Sequence, residues 1–223
     1  MTALLMATVA FIATHTLPCR EPLRGVLVKR LGDRGFMLSY SLLSAVTLGW
    51  MIAAYIQAPR HTLWDGDSLA WLPLVLMPVS LFLVVSAYSG GNPTGLLQEK
   101  ALKRETPARG VLRITRHPML WGVVLWSGAH ILASGQDATA VFFGGFLVEA
   151  LLGTVLIDGK RAALGADWQA YRAVTSNVPF GAILSGRNRL VVREFGGLAP
   201  VIALALYSLL MLLHPTLFGV PAF

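Results

Sequence analysis

The chain has 223 residues, 55% of them hydrophobic and 13% charged, and its 18 Lys and Arg against 11 Asp and Glu give a formal charge of +7. Soluble domains carry roughly a quarter charged residues, so this composition argues against a soluble globular protein, and a mean hydropathy of +0.65 points to a lipid bilayer instead. The single cysteine, Cys19, excludes an intrachain disulfide framework and a cysteine-based zinc site.

The first apolar segment, Thr2–Leu17, carries His15 near its end and has no basic residue ahead of it, so it reads as a retained span rather than a cleaved signal. Arg20, Arg24, Lys29, Arg30 and Arg34 follow as a basic loop, and Phe36–Ile56 is the second segment. A loop with Arg60 and His61 leads to the third, Leu69–Tyr88, where Pro73 and Pro78 predict a kink. The stretch Gly90–Arg113, beginning "GGNPTGLLQEKALKRE", predicts a turn and then a short basic amphipathic helix. Pro118–Ser134 and Ala138–Ile157 are the fourth and fifth segments. In the connection Asp158–Arg193, "GKRAALGADWQAYRAV" spaces Leu164, Trp168 and Tyr171 as a second surface helix. Leu198–His214 is the sixth segment. A bilayer core needs about 20 helical residues, so the first and fourth are short and should tilt or thin the membrane. The expected fold is all-α: a single domain over residues 1–223, a polytopic membrane bundle of about six helices with amphipathic helices on the cytoplasmic surface.

All the Lys and Arg residues but Arg60 fall in the three alternate loops after the first, third and fifth segments. The positive-inside rule puts those loops in the cytoplasm and both termini outside, as in a bacterial inner membrane or its equivalent. The same distribution explains the net charge by lipid phosphates, so no nucleic-acid partner is expected.

Five histidines stand in or beside these segments. An imidazole at membrane depth points to a metal, a haem or a proton path, or else to a hydrogen bond with a neighbouring helix. His61 reads as solvated and His214, in "LLHPTLF", as an interfacial cap. His117 and His130 are 13 residues apart on one helix. That is roughly 20 Å of rise, so they cannot share one iron, and a bis-histidine site must draw on different helices. Ser127, Gly128, Ala129 and Ser134 give His130 small neighbours that could admit a flat ring. Arg116 and His117 precede Pro118 at a helix N-terminus, a place for an anionic group such as a propionate or a cofactor carboxylate. Glu149 falls in the middle of the fifth segment and must be paired or protonated there, in a structural, catalytic or proton-relay role. Asp158, at the cytoplasmic end, could pair with Arg116 or Arg161.

The stretches "ITRHPMLWGVVLWSGAHILASG", "DGKRAAL", "SNVPFGAILSGR" and "LLHP", with "THTLP" around His15, resemble the NnrU family, and within it the 15-cis-ζ-carotene isomerases more than the shorter denitrification-associated members. The resemblance implies a multi-pass membrane protein holding haem b. It implies iron ligation by His15 and by His130 in the "AH" pair, an active ferrous state maintained by an electron donor, and cis–trans isomerisation of the central double bond of an apolar polyene. From their positions in the spans, Glu149 and Asp158 are the candidates for the chemistry, and Arg116, His117 and Ser127 those for contact with the cofactor. One departure is plain: the isomerases can carry a cysteine ligand one turn before the "AH" histidine, where this chain has Ser127, so that residue offers no thiolate switch. The topology also strains the pair, since His15 and His130 come out on the order of 15 Å apart in height; His117 is the alternative partner for His15.

Two other readings share these residues. "RHPMLWG" with "GADWQAYRAVTSNVP" is similar to the isoprenylcysteine methyltransferase-like enzymes, but those place a Glu-Glu pair where this chain has "IDGKR", leaving Asp158 alone. NnrU-type proteins are also linked to nitrite and nitric oxide reduction, which implies a haem or redox accessory instead of an isomerase.

Overall fold

The computed structural model describes residues 1–95 and 98–220. It contains eight α-helices and no strand among the described residues; one isolated antiparallel bridge pairs Thr62 with Gln136. The helices are α1 (Thr2–Thr16), α2 (Leu23–Gln57), α3 (Trp71–Ser89), α4 (Pro118–Ser134), α5 (Asp137–Arg161), α6 (Ala166–Val174), α7 (Gly181–Leu184) and α8 (Leu198–Phe218). α1, with the turn Leu17–Cys19 that follows it, α2, α3, α5 with its short extension, and α8 are long and apolar enough to cross a membrane. α4 is apolar but only 17 residues long, at the short limit for a span.

The surfaces of these helices are those of lipid-facing elements. Along α8, Leu198, Val201, Leu204 and Leu212 are exposed by 59–78%. In water so large an apolar patch would aggregate; in hydrocarbon it costs nothing. What α8 does bury is small: Ala199 and Ala203, the residue type that lets helix backbones approach in a membrane.

The chain forms two compact units: Met1–Ala70 with Ser127–Leu152, and Trp71–Trp126 with Gly153–Phe223. In the first, Leu4, Ala7, Phe11, Met51, Ala54, Ala138 and Phe142 form a core shared by α1, α2 and the start of α5. A Cβ on Gly145 would lie 2.7 Å from Thr8, so the missing side chain is what seats α1 on α5. The α4–α5 turn depends on Gly135, at φ 65°, where a Cβ would lie 2.1 Å from the Trp64 carbonyl. In the second unit, Ser80 Oγ donates to the Gly122 carbonyl at 2.8 Å, and Tyr207 donates to the Leu74 carbonyl at 3.2 Å. These bonds tie α3 to α4 and α8.

Several expected boundaries move. α2 begins at Leu23, so Arg24, Lys29, Arg30 and Arg34 stand on its first turns and not in a loop; Gly32, at φ 70°, breaks the helix there. Helix-forming Leu, Lys and Arg let the helix continue past the apolar stretch, where long basic side chains can reach water and phosphate. α5 likewise runs on through Asp158, Lys160 and Arg161. Pro73 falls in the first turn of α3, where its missing donor costs nothing, and only Pro78 is interior. In place of the basic amphipathic helix expected within Gly90–Arg113 stand two 3₁₀ turns, Glu99–Lys103 and Gly110–Arg113; Leu96 and Leu97 of that stretch lie outside the described residues. Pro107 and Gly110, at φ 57°, interrupt any longer helix. The second surface helix is divided at Gly165, at φ 65°. Trp168 and Tyr171 then turn into the protein, packing with Leu102 and Ala108 instead of lipid, while Leu164 stays exposed.

Candidate functional site

The first unit holds His15, His130 and Glu149. His15 Nδ1 lies 2.9 Å from the Phe11 carbonyl, one helical turn back, which makes that nitrogen the donor and leaves Nε2 as the basic one. Phe11 packs against the same imidazole at 4.1 Å with the rings tilted by 45°, and Tyr40 approaches it edge-on at 6.0 Å while donating to the His15 carbonyl at 3.3 Å. His130 stacks on Phe143, at 4.8 Å and an interplanar angle of 14°. Phe11 meets Phe146 at 5.2 Å, and Phe142 meets both Phe146 and Phe143. Both imidazoles therefore border one aromatic cluster. Edge-to-face rings of this kind make a dry, polarisable wall.

Glu149 is half-buried on α5, and Thr16 Oγ1 donates to its Oε2 at 3.1 Å. That bond supplies the partner that a carboxylate at this depth requires. It also fixes heights: the residue after His15 sits level with Glu149, while His130 sits level with Phe143. Six residues of α5 separate those levels, about 9 Å at 1.5 Å per residue, a smaller offset than the topology alone suggested.

The donor chemistry here fits a haem. A histidine whose Nδ1–H is held by a carbonyl presents Nε2 in a fixed tautomer, the arrangement that orients ligating imidazoles. Around His130, Ser127 and Ala129 are buried, and a Cβ added at Gly128 would meet nothing within 4 Å. No cluster of three or more His, Cys, Asp or Glu that could hold a bare metal ion occurs among the described residues.

Arg116, His117 and Asp158 lie together in the second unit. Arg116 Nε is 2.9 Å from Asp158 Oδ1, and its Nη2 is 2.5 Å from Oδ2. His117 Nε2 is 2.8 Å from the same Oδ1. The side chains of Arg116, His117 and Asp158 are exposed by only 8%, 0% and 15%. Burial pushes the His117 imidazole below its ordinary pKa against the opposing pull of Asp158, so at neutral pH Nε2 carries the single proton toward the carboxylate. His117 Nδ1 is buried with no hydrogen-bond partner among the described residues. The helix N-terminus read as a place for an outside anion has thus recruited the protein's own carboxylate. Of the two arginines expected to compete for Asp158, Arg116 holds it; Arg161 pairs with Glu99 and the Gly95 carbonyl instead.

Sequence reasoning missed the frame of this network. Arg116 N–H donates to the Ser176 carbonyl at 2.9 Å, Thr115 Oγ1 to Asn177 O at 2.6 Å, and Thr94 Oγ1 to Arg116 O at 2.7 Å. Asn177 accepts from Trp121 Nε1 and donates to Thr154, clamping α4 to α5. The available signal was the run Thr175-Ser176-Asn177 just before Pro179: three short polar residues in an otherwise apolar setting, each suited to bonding a neighbouring backbone. His61 sits outside both groups, its Nδ1 2.8 Å from Asp137 Oδ2 and its side chain 70% exposed. His214 bonds the Val220 carbonyl at the end of α8, the expected cap.

Compared with known proteins, the profile of the NnrU protein matches residues 3–222. The chain belongs to the NnrU family. It is similar to the chloroplastic 15-cis-zeta-carotene isomerase of Arabidopsis thaliana, 29% identical over 196 residues, and to that of Zea mays, 33% identical over 199 residues. Each match covers 84% of this chain but 52% of the relative, so this NnrU chain spans about half the length of the curated relatives it matches. No solved structure matches it.

Proposed function

We propose that this NnrU-family protein is a haem b-dependent cis–trans isomerase acting on the central 15-cis double bond of a ζ-carotene-like polyene. The observation that carries this reading is the likeness to two curated 15-cis-zeta-carotene isomerases over 84% of the chain. The aromatic cluster bordered by His15 and His130 supports it, since its apolar rings suit both a porphyrin face and a polyene. In this reading His15 Nε2 and the His130 imidazole would hold the iron. When bound and reduced, haem would supply Lewis-acid chemistry toward a double bond, with no net redox change, provided one of its two protein ligands is released to the polyene. Phe142, Phe143 and Phe146 keep water away and orient the polyene. Glu149, bonded to Thr16 next to His15, sets the local charge at that end of the site. The basic ends of the spans face the cytoplasm, in accord with the positive-inside rule.

The test is a dark turnover assay on purified, haem-loaded, dithionite-reduced protein with 15-cis-ζ-carotene, read by the ratio of isomers. Conversion of the 15-cis isomer in the reduced sample and not in the oxidised one is the expected result. An unchanged profile from protein showing a Soret band would reject isomerisation and leave the redox-accessory reading, and protein that takes up no haem would reject both. In the same assay Glu149→Gln should keep the Soret band and lower turnover several-fold; full turnover removes Glu149 from the chemistry.

A further inference from the structure

The second unit contains a cavity of about 440 Å³ that neither histidine site uses. Its wall includes Ser86 and Ser89 at the end of α3, Gly91, Arg104, Arg109, Glu194, and Ala199 in the first turn of α8. It therefore lies at the ends of two apolar helices, the depth at which headgroups meet a membrane protein.

The charge of the wall is decided by which ions are already paired. Glu194 Oε2 accepts from Gly110 N–H and Arg113 Nε, each at 2.7 Å, and its Oε1 accepts from Arg113 Nη2 at 2.8 Å. That carboxylate is neutralised by a forked pair with Arg113. Arg104 gives one N–H to the Gly90 carbonyl and has no carboxylate partner among the described residues. Its guanidinium lies flat on Gly91, where a Cβ would come within 2.6 Å of it, so glycine is required for that placement. The Arg109 side chain is exposed and makes no hydrogen bond or ion pair among the described residues, although its charge reaches Glu194. Two cations thus remain without a direct carboxylate partner among the described residues. A polar group stands beside them: Ser86 Oγ is buried without a hydrogen-bond partner, although a helical serine can usually bond its own preceding turn. The positive end of the α8 dipole adds to the same sign.

We infer that this cavity binds a phosphate-bearing anion, held by Arg104 and Arg109 with Ser86 donating to a phosphate oxygen. A phospholipid headgroup and a free phosphate share that chemistry. The volume falls within the range of roughly 300–1,000 Å³ typical of ligand pockets, more than one phosphate requires, leaving room for a headgroup.

The experiment places the full-length protein in nanodiscs containing equal phosphatidylglycerol and phosphatidylcholine and measures retained lipid by native mass spectrometry. A second arm titrates inorganic phosphate, followed by ³¹P line broadening in lipid-free detergent. The wild type should retain phosphatidylglycerol about tenfold over phosphatidylcholine. Arg104→Ala/Arg109→Ala should abolish the preference, while Lys29→Ala/Arg30→Ala, which removes equal charge from α2, should keep it. Arg109→Glu is the second probe, because an exposed, unbonded side chain can be reversed in charge without unfolding the unit; it should lower retention several-fold. Saturable phosphate broadening lost in the same variants, without lipid preference, assigns the site to free phosphate. Neither lipid preference nor phosphate binding in the wild type, or undiminished binding in both Arg109 variants, overturns the assignment.

Discussion

The two groups of candidate residues are built on opposite principles. In the first unit, His15 and His130 border packed phenyl rings, and their local chemistry is soft: one imidazole bonded to its own helix and one stacked on Phe143. In the second unit, Arg116, His117 and Asp158 form a buried ionic network with most of its donors and acceptors already committed. A site that receives a flat apolar cofactor needs polarisable walls and a donor that is oriented but unspent. A network that fixes the ends of helices needs the reverse. His117, the histidine with the most polar surroundings, has Nε2 committed to Asp158, while its Nδ1 is buried with no hydrogen-bond partner among the described residues.

The largest expected effect breaks the second region. Asp158→Ala leaves the Arg116 guanidinium and the His117 imidazole buried without their common partner. Removing one member of a buried ion pair costs about 3–5 kcal/mol, and at roughly 2–4 °C per kcal/mol the thermal midpoint in detergent should fall by about 10 °C. Haem content per folded molecule should not change. A variant as stable as the wild type would mean that the network is ornamental. One that stays folded but loses haem would move Asp158 into the cofactor site.

The next effect separates the histidines. His130→Ala should lower bound haem at least several-fold, read as Soret absorbance per protein, whereas His61→Ala should leave it unchanged, because His61 is largely exposed and paired with Asp137. Ligand loss at one axial position also shifts the band, which distinguishes it from general unfolding. Equal haem content in the two variants removes His130 from the site.

How far the sequence reached differs between the regions for the same physical reason. Spans are local: hydropathy places them, and α4 keeps its expected bounds because Pro118 opens it and Gly135, at positive φ, turns the chain after it. Helix starts in basic stretches were harder to read, since Lys29, Arg30 and Arg34 look like loop residues and are also good helix formers. Trp168 and Tyr171 were legible as one face of a helix, but not which neighbour that face meets, and Leu102 and Ala108 arrive from far along the chain. The aromatic cluster between His15 and His130 was invisible for the same reason: phenylalanines in an apolar segment carry no sign of whether they face lipid or one another. Asp158 could be narrowed to two arginine partners, but not to both Arg116 and His117, because a carboxylate accepting from two side chains is a fact of packing.

The smallest effect concerns the pair beside the proposed anion cavity and is visible only in its pH dependence. The forked hydrogen bonds from Arg113, helped by Gly110 N–H, hold the Glu194 carboxyl down at about 2, against an ordinary value of 4.5. A carboxylate with a depressed folded pKa contributes stability that is fully present above its ordinary value and is lost as pH falls through the folded one. Wild type should therefore exceed Glu194→Gln by about 1–2 kcal/mol at pH 6, the worth of hydrogen bonds to a charged group at a partly exposed site. That is roughly 3–6 °C in thermal midpoint. The gap should close between about pH 4.5 and pH 2. Glu99, also held low, titrates toward the acid side in both proteins: burial resists its ionisation, but its backbone bond and Arg161 outweigh that. Only the difference between the two melting curves reports on Glu194. A gap that is the same at pH 6 and pH 2.5 would show that the charge of Glu194 contributes nothing. The carboxylate would then not be neutralising Arg113, and the count of two unpaired arginines in the adjoining cavity would have to be revised.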